Sequence, residues 1–187
     1  MSEAGTVEGR ERIRLFCALR LPDKTVDGLA RWQGNAFGGV PRVRILTPDH
    51  LHVTLAFLGH RPQDELSGIV AALREAADAA ERPLLSVRRY RETRSVGMLA
   101  LDDEAGRAQA LARDLHGRLE ALRVYEPERR EWLPHVTVLR FRERPGLRPP
   151  LPDLEPFMPS DAAVYLSRLR PSGAQYEVLE PVPLGGR

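Results

Sequence analysis

Two histidines in this chain carry the same short motif. His52 is followed by Thr54, and His135 is followed by Thr137, so that each copy has the pattern His-x-Thr. The 187 residues contain only five histidines, and a repeat of this kind is not expected by chance. Both copies lie in apolar, β-prone segments, where a residue and its second neighbour project from the same face of a strand. Each motif therefore sets an imidazole beside a hydroxyl, and two such strands facing each other would form one polar cluster.

These residue types suit acid–base chemistry at phosphorus. An imidazole has an unperturbed pKa of about 6.5, so one ring can take a proton from an attacking oxygen while another protonates the leaving oxygen. Threonine hydroxyls can donate hydrogen bonds to nonbridging phosphate oxygens, on which negative charge builds in the transition state. The repeated motif therefore predicts displacement at phosphorus without a metal ion or any other cofactor.

The motifs and their surroundings resemble the two-histidine (2H) phosphoesterase superfamily, and within it the RNA 2′,3′-cyclic phosphodiesterases, also described as 2′-5′ RNA ligases. The likeness extends from Arg14 onward and includes an Arg-Leu-Phe strand, Leu51–Gly59, Pro134–Arg140 and the strand Tyr176–Leu179. It implies an α+β fold of two lobes, with two pseudo-symmetric antiparallel sheets and outer helices around a central cleft. It also implies hydrolysis of RNA 2′,3′-cyclic phosphate ends to 2′-phosphomonoesters, with reversible 2′-5′ RNA ligation as a further activity.

The resemblance also assigns roles to the motif residues. His52, in the first motif, is expected to be the proton donor to the leaving 3′ oxygen. His135, in the second, is expected to be the proton acceptor. Thr54 and Thr137 are expected to bind the phosphate. The implied partners are RNA with 2′,3′-cyclic phosphate ends and related cyclic or 2′-5′ nucleotides.

Phe57 and Arg140 each lie five residues after a motif histidine. In relatives the aromatic residue is near the nucleotide and the arginine near the phosphate, so we expect both to bind substrate. An odd offset on a regular strand points to the opposite face. Either side chain therefore reaches the cleft only if its strand ends, twists or bulges there. Phe16 could border the nucleotide by the same resemblance, although core packing is its simpler role.

Composition sets broad limits on the partners. The 28 basic and 26 acidic residues give a net charge of +2, and this balance alone is no signature of polyanion binding. No apolar run has the length of a membrane-spanning helix, and the polar N-terminus lacks a signal-peptide pattern. Cys17, the only cysteine, is expected in the core of a protein from a reducing compartment. We expect a cytoplasmic monomer with no membrane partner.

Periodicity predicts a single bilobal domain over residues 12–187 behind a mobile tail of residues 1–11. Strands are expected over 13–19, 43–46, 51–58, 84–90, 96–101, 133–141, 162–169 and 176–179. Helices are expected from 21 to 34 or 38, over 64–81 and over 106–122. A turn is expected at 59–62, and a proline-rich loop at 145–159. Strands adjacent in sequence with few intervening helices favour packed lobes over a doubly wound parallel sheet.

Two other functions are compatible with the same residues. His50, His52 and His135 could supply three imidazole ligands to zinc in a zinc-dependent phosphohydrolase, although this leaves the paired threonines unexplained. A non-catalytic RNA- or nucleotide-binding module could retain the cleft, but the intact histidines of both motifs argue against it. The remaining histidines are simply interpreted, with His60 as a turn residue and His116 as an exposed helix residue.

Overall fold

The computed structural model describes residues 11–171 and 173–185. Three α-helices are found there, namely α1 (Asp23–Phe37), α2 (Leu66–Ala79) and α3 (Arg107–Ala121). The strands are β1 (Arg12–Arg20), β2 (Val43–Ile45), β3 (His52–Pro62), β4 (Leu85–Glu92), β5 (Val96–Asp103), β6 (His135–Phe141), β7 (Asp161–Arg170) and β8 (Gly173–Pro183). The predicted tail lies outside the described residues except for Glu11.

All the strand pairs are antiparallel, and they form one curled sheet in the order β4-β5-β6-β3-β1-β7-β8, with β2 also paired to β6. The two motif strands, β3 and β6, meet at a single residue pair, Val53 with Val136. The sheet therefore consists of two halves that diverge from this pair. The predicted α+β fold, with two lobes around a cleft, is confirmed.

The helices pack against the face of the sheet that carries Val53 and Val136. Apolar residues three and four positions apart form the inner side of each helix. Fully buried examples are Leu29 in α1, Ile69 and Leu73 in α2, and Leu111, Leu115 and Leu119 in α3. Cys17 is buried in the same core, as expected, and its burial raises the pKa of the thiol to about 12. Within the described ranges, no helix is long and apolar enough to cross a lipid bilayer.

Strand β3 continues through residues 59–62, where the sequence predicts a turn. Gly59 has a φ of 67°, a left-handed conformation that glycine adopts without steric cost. The chain remains paired with β1 beyond that point, as far as Arg12 with Pro62. The predicted turn is therefore wrong, and His60 belongs to a strand. The closing strand β8 is also longer than predicted, because it pairs with β7 along its whole length.

Both motif strands contain a β-bulge at the same position after the histidine. The pairing of β3 with β1 passes from Thr54 to Ala56 and leaves Leu55 as an additional residue. The pairing of β6 with β5 passes from Thr137 to Leu139 and leaves Val138 as the additional residue. From the histidine onward, both strands show the same sequence of half-buried, buried and exposed positions over the first six residues. The two halves therefore share the deformation as well as the motif.

Each bulge carbonyl receives a hydrogen bond from a helix. The Nε2–H group of His116 in α3 donates to the Leu55 carbonyl oxygen at 2.7 Å. The side-chain amide of Gln33 in α1 donates to the Val138 carbonyl oxygen at 2.8 Å, which also accepts from the backbone N–H of Leu46 at 3.1 Å. His116 is thus half-buried, and the prediction of an exposed helix residue is wrong. The Nε2–H group of His116 thus satisfies the Leu55 carbonyl oxygen, which the irregular pairing at the bulge leaves without a partner.

We expect the substitution Gln33→Leu to destabilise the protein by about 1–3 kcal/mol, because it removes a buried donor from carbonyl oxygens left inside the protein. Gln33 is 1% exposed and also donates to the Leu46 carbonyl oxygen at 3.2 Å. Urea unfolding followed by circular dichroism measures the change. The matched control is Gln63→Leu at an exposed position, and an equal loss in both variants would contradict the assigned role.

Candidate active site

The residue pair that joins β3 to β6 brings the two motifs together on the face opposite the helices. Because the strands are antiparallel, the register places His52 across from Thr137, and Thr54 across from His135. The four side chains therefore occupy the corners of a quadrilateral. The histidines lie on one diagonal and the threonines on the other. Each imidazole has one hydroxyl beside it on its own strand and another across the ladder.

A cavity of about 310 Å³ opens on this face, at the small end of the range of about 300–1,000 Å³ typical of ligand pockets. Five of the predicted site residues line it, namely His52, Thr54, Phe57, Thr137 and Arg140. The sixth, His135, is not among the lining residues, although the register sets it beside Thr54. Its charge nevertheless acts on His52, as described below.

The two bulges bring Phe57 and Arg140 to the cleft. Along β1, alternate residues pair in turn with His52, Thr54 and Phe57, and along β5, alternate residues pair with His135, Thr137 and Arg140. Partners in an antiparallel ladder project to the same side of the sheet. The additional residue in each strand shifts the alternation of faces by one position. The residue five positions after each histidine therefore faces the same side as the histidine. Phe57 is 46% exposed, and the Arg14 guanidinium carbon lies 4.6 Å from the centre of its ring.

The hydrogen bonding of His135 leaves one ring nitrogen available to accept a proton. Its Nδ1 lies 2.9 Å from the carbonyl oxygen of Leu133. Since a carbonyl oxygen only accepts, the neutral ring carries its proton on Nδ1, and its Nε2 presents a lone pair. This is the protonation state that a general base requires.

His52 lies against a cluster of aromatic rings. The ring centre of Phe16 is 5.0 Å from that of His52, and the ring centres of Tyr176 and Tyr165 are 5.6 Å and 5.7 Å away. Phe16 itself stacks on Tyr165. These rings come from β1, β7 and β8, so they belong to the lobe of the first motif. Among the described residues, the buried Nδ1 atom of His52 has no hydrogen-bond partner of ordinary geometry.

This environment makes the charged form of His52 unfavourable. Burial is the main cause, and the positive charges of His50, His135 and Arg140 act in the same direction. The nearby backbone of His50 opposes them only in part. Together they lower the pKa of His52 to about 4. The ring is therefore neutral at neutral pH when the cleft contains no anion.

His50 fixes the loop before the first motif. Its Nε2–H group donates to the carbonyl oxygen of Ala174 at 2.7 Å, and its Nδ1 is 2.7 Å from the hydroxyl of Thr47. Its ring also packs edge-on against Tyr176 at 4.6 Å. The residue therefore ties this loop to the start of β8. With both nitrogens engaged, it presents no free lone pair to a metal ion.

The donor set of the zinc alternative is not assembled in the part of the chain that the structure describes. No group of three or more His, Cys, Asp or Glu side chains there is placed to hold a metal ion. The sequence did not identify Arg14 and Tyr176 as cleft residues, or Tyr165 as a ring that packs against His52. Their types carry no spacing signal, and they reach the site only through the order of β3, β1, β7 and β8 in the sheet.

Comparison with known proteins defines the class of protein. The family model described as the 2′-5′ RNA ligase superfamily matches residues 22–171. The chain therefore belongs to this family, and the expected enzyme class, a two-histidine phosphoesterase, is confirmed.

Individual relatives are similar over nearly the whole chain. The RNA 2′,3′-cyclic phosphodiesterase of Thermus thermophilus is 31% identical over 93% of this chain and 91% of that protein. A crystal structure of a protein from Thermus thermophilus, 26% identical, superposes with a TM-score of 0.77 over 94% of this chain and 100% of that one. The apo form of E. coli LigT, 22% identical, has the same fold, with a TM-score of 0.76 over 94% and 99% of the two chains.

The lowered pKa of His52 predicts a contribution to stability that depends on pH. Between the unfolded value of about 6.5 and the folded value of about 4, the unfolded chain binds a proton that the native protein does not. The free energy of unfolding should therefore fall as the pH falls through this range, and His52→Gln should show a smaller fall. Urea titrations at several pH values measure the free energy of unfolding of each protein, and His60→Gln serves as the control at an exposed histidine. Equal pH dependence in wild type and His52→Gln would contradict the buried, neutral state.

Proposed function

We propose that the protein hydrolyses the 2′,3′-cyclic phosphate at the 3′ end of RNA to a 2′-phosphomonoester, by acid–base catalysis that needs no metal ion. The observation that carries this proposal is the diagonal placement of two histidines and two threonines around one cleft. The name of the Thermus thermophilus relative, an RNA 2′,3′-cyclic phosphodiesterase, supports the choice of substrate.

Displacement at phosphorus requires a base and an acid on opposite sides of the phosphate, because the attacking oxygen enters in line with the leaving one. His135 takes a proton from water through its Nε2 atom as that water attacks phosphorus. The bond from phosphorus to the 3′ oxygen breaks, and His52 protonates this oxygen. The product carries a 2′-phosphate and a free 3′-hydroxyl. The diagonal between the two imidazoles supplies the required opposition.

The remaining groups stabilise the charge on the phosphate. Thr54 and Thr137 lie on the other diagonal and can donate to the two nonbridging oxygens. Arg140 adds a positive charge at the same cavity, which favours the additional negative charge of the transition state. Phe57 is exposed at the cavity and offers an apolar face to the terminal sugar or base.

The donor role of His52 depends on the bound anion. In the empty cleft its pKa is about 4, so the ring has no proton to give at neutral pH. A phosphate between the imidazoles brings a negative charge close to the ring. That charge offsets the neighbouring positive charges and raises the pKa of His52. Binding of substrate thus supplies the condition under which His52 becomes an acid.

The same pair of histidines can also serve 2′-5′ ligation and its reversal. If the 5′-hydroxyl of a second RNA replaces water as the nucleophile, His135 takes its proton, and the opening of the cyclic phosphate leaves a 2′-5′ linkage. In the cleavage of that linkage the roles of the two histidines are exchanged, as microscopic reversibility requires. Reversible 2′-5′ RNA ligation is therefore part of the proposal.

An RNA ending in a 2′,3′-cyclic phosphate should be hydrolysed at an unchanged rate after exhaustive treatment with a chelator, because no step uses a metal ion. Phosphorus NMR of the product should show a 2′-phosphate and no 3′-phosphate. The same RNA with a linear 3′-phosphate is the control and should remain unchanged. Loss of turnover on metal removal, with recovery on adding zinc, would exclude the acid–base proposal.

His52→Ala and His135→Ala should each lower kcat by about 10² to 10⁴-fold, since each ring moves a proton that no other motif group moves. The double variant should be little worse than either single one, because the two rings act as a unit. Thr54→Ala and Thr137→Ala should have milder effects with a larger share in KM. His60→Ala is the matched control. A His135→Ala enzyme with near wild-type kcat would be incompatible with the assigned base.

A further inference from the structure

A second groove, of about 700 Å³, lies beside the catalytic cavity along β2 and β6. Four arginines and a single carboxylate line it, namely Arg42, Arg44, Arg140, Arg142 and Glu143. Arg140 lines the catalytic cavity as well, so the groove and the cavity share a wall. We call this surface the arginine groove.

We propose that the arginine groove binds the sugar–phosphate backbone of the RNA upstream of the cyclic end, so that the enzyme acts on oligonucleotides in preference to cyclic mononucleotides. This inference rests on the proposed function. A cyclic phosphate closes the 3′ end of its strand, and only nucleotides on the 5′ side remain to leave the cleft. The shared wall at Arg140 gives them a positively charged path.

The pairing of β2 with β6 concentrates like charges. Arg44 is the direct partner of Arg140, and like charges directly opposite each other destabilise an antiparallel pair. Arg42 lies just before β2 and Arg142 just after β6, so both are at the same end of this strand pair. The groove therefore concentrates positive charge around one short two-stranded segment.

Three of the groove arginines form no ion pair with the part of the chain that the structure describes, whereas some arginines elsewhere in the protein do. Arg118 in α3 pairs with Asp114 at 3.1 Å, and Arg107 pairs with Glu81 at 2.9 Å. Within the described residues, no carboxylate lies within ion-pair distance of Arg42, Arg140 or Arg142. Their charges are thus available to an external anion.

The arginines are distributed along the groove rather than gathered at one point. Arg140 and Arg142 are two residues apart in sequence, as are Arg42 and Arg44, and all four line the groove. A row of separate positive charges suits a sugar–phosphate backbone, which carries one negative charge per nucleotide. The guanidinium of Arg44 packs against Gly173, where a side chain of any other residue would occupy its place.

Recognition of this kind is independent of base sequence. Guanidinium groups that contact phosphates set the position and register of a strand but do not distinguish its bases. The affinity for single-stranded RNA should depend on salt, with a slope of about 0.7 in log K against log salt for each phosphate contacted. The bases lie outside this set of contacts.

The test uses Arg42→Gln combined with Arg142→Gln, two substitutions outside the catalytic groups. The charge-matched control is Arg82→Gln combined with Arg113→Gln, at exposed positions near α3 on the helix side. Binding of a fluorescent single-stranded RNA with a 2′-phosphate end is measured by anisotropy over a range of potassium chloride concentrations. Turnover is measured in parallel on a cyclic mononucleotide and on RNAs of two to six nucleotides with cyclic ends.

In the wild type and the control, kcat/KM should rise with RNA length over the first few nucleotides. The groove variant should lose this rise, bind RNA more weakly, and reduce the salt slope by about 0.7 for each lost phosphate contact. Its kcat/KM on the cyclic mononucleotide should change by less than about twofold, because the cleft itself is intact.

The outcomes separate the two proposals. Equal loss of RNA affinity in groove variant and control, or a wild type without length dependence, would overturn the arginine groove and leave the proposed function standing. A wild type that turns over neither the mononucleotide nor the RNA would overturn the proposed function. A parallel fall of mononucleotide and RNA turnover in the groove variant would show that these arginines serve the cleft, and would also overturn the inference.

Discussion

Two buried carbonyl oxygens, those of Leu55 and Val138, connect the form of the cleft to the helices behind it. Each belongs to the additional residue of a bulge, and each is satisfied by a side chain from a helix, His116 or Gln33. A buried carbonyl without a donor costs about 1–3 kcal/mol, so these hydrogen bonds stabilise the bulges, at Val138 together with the one from the backbone N–H of Leu46. Without the bulges, Phe57 and Arg140 would face the apolar layer under the helices. The hydrogen bonds from the helices therefore favour the bulged strands, and with them the placement of Phe57 and Arg140 in the cleft.

The two halves have the same backbone form but differ in their chemistry. On one side His52 lies among aromatic rings, which favour the neutral ring, and on the other the Nδ1 of His135 is anchored to a backbone carbonyl at 2.9 Å. A symmetric scaffold alone provides two equivalent histidines. The surrounding side chains hold one ring neutral by burial and direct the lone pair of the other to its Nε2 atom. The proposed division into acid and base therefore rests on the neighbours of the motif.

The sequence was sufficient to predict features that depend on local periodicity. The two His-x-Thr motifs, their strands and the three helices all follow from spacing within a short window. The direction of Phe57 and Arg140 does not, because the bulges depend on donors that are 61 and 105 residues away in sequence. His116 was misread as exposed for the same reason. The turn expected at 59–62 was wrong because the local composition gives no sign of the continued pairing with β1.

The single residue pair between β3 and β6 also has a mechanical consequence. Across this seam no hydrogen-bond ladder stiffens the sheet, whereas β1 pairs with β3 over most of its length. The relative position of the two imidazoles therefore depends more on the packing of the helix layer behind the seam than on backbone hydrogen bonds across it. In the proposed complex, the phosphate contacts both motifs and so joins the two halves of the sheet. For the proposed reactions, such a seam would let the width of the cleft follow the size of the nucleophile, from water to the end of a second RNA.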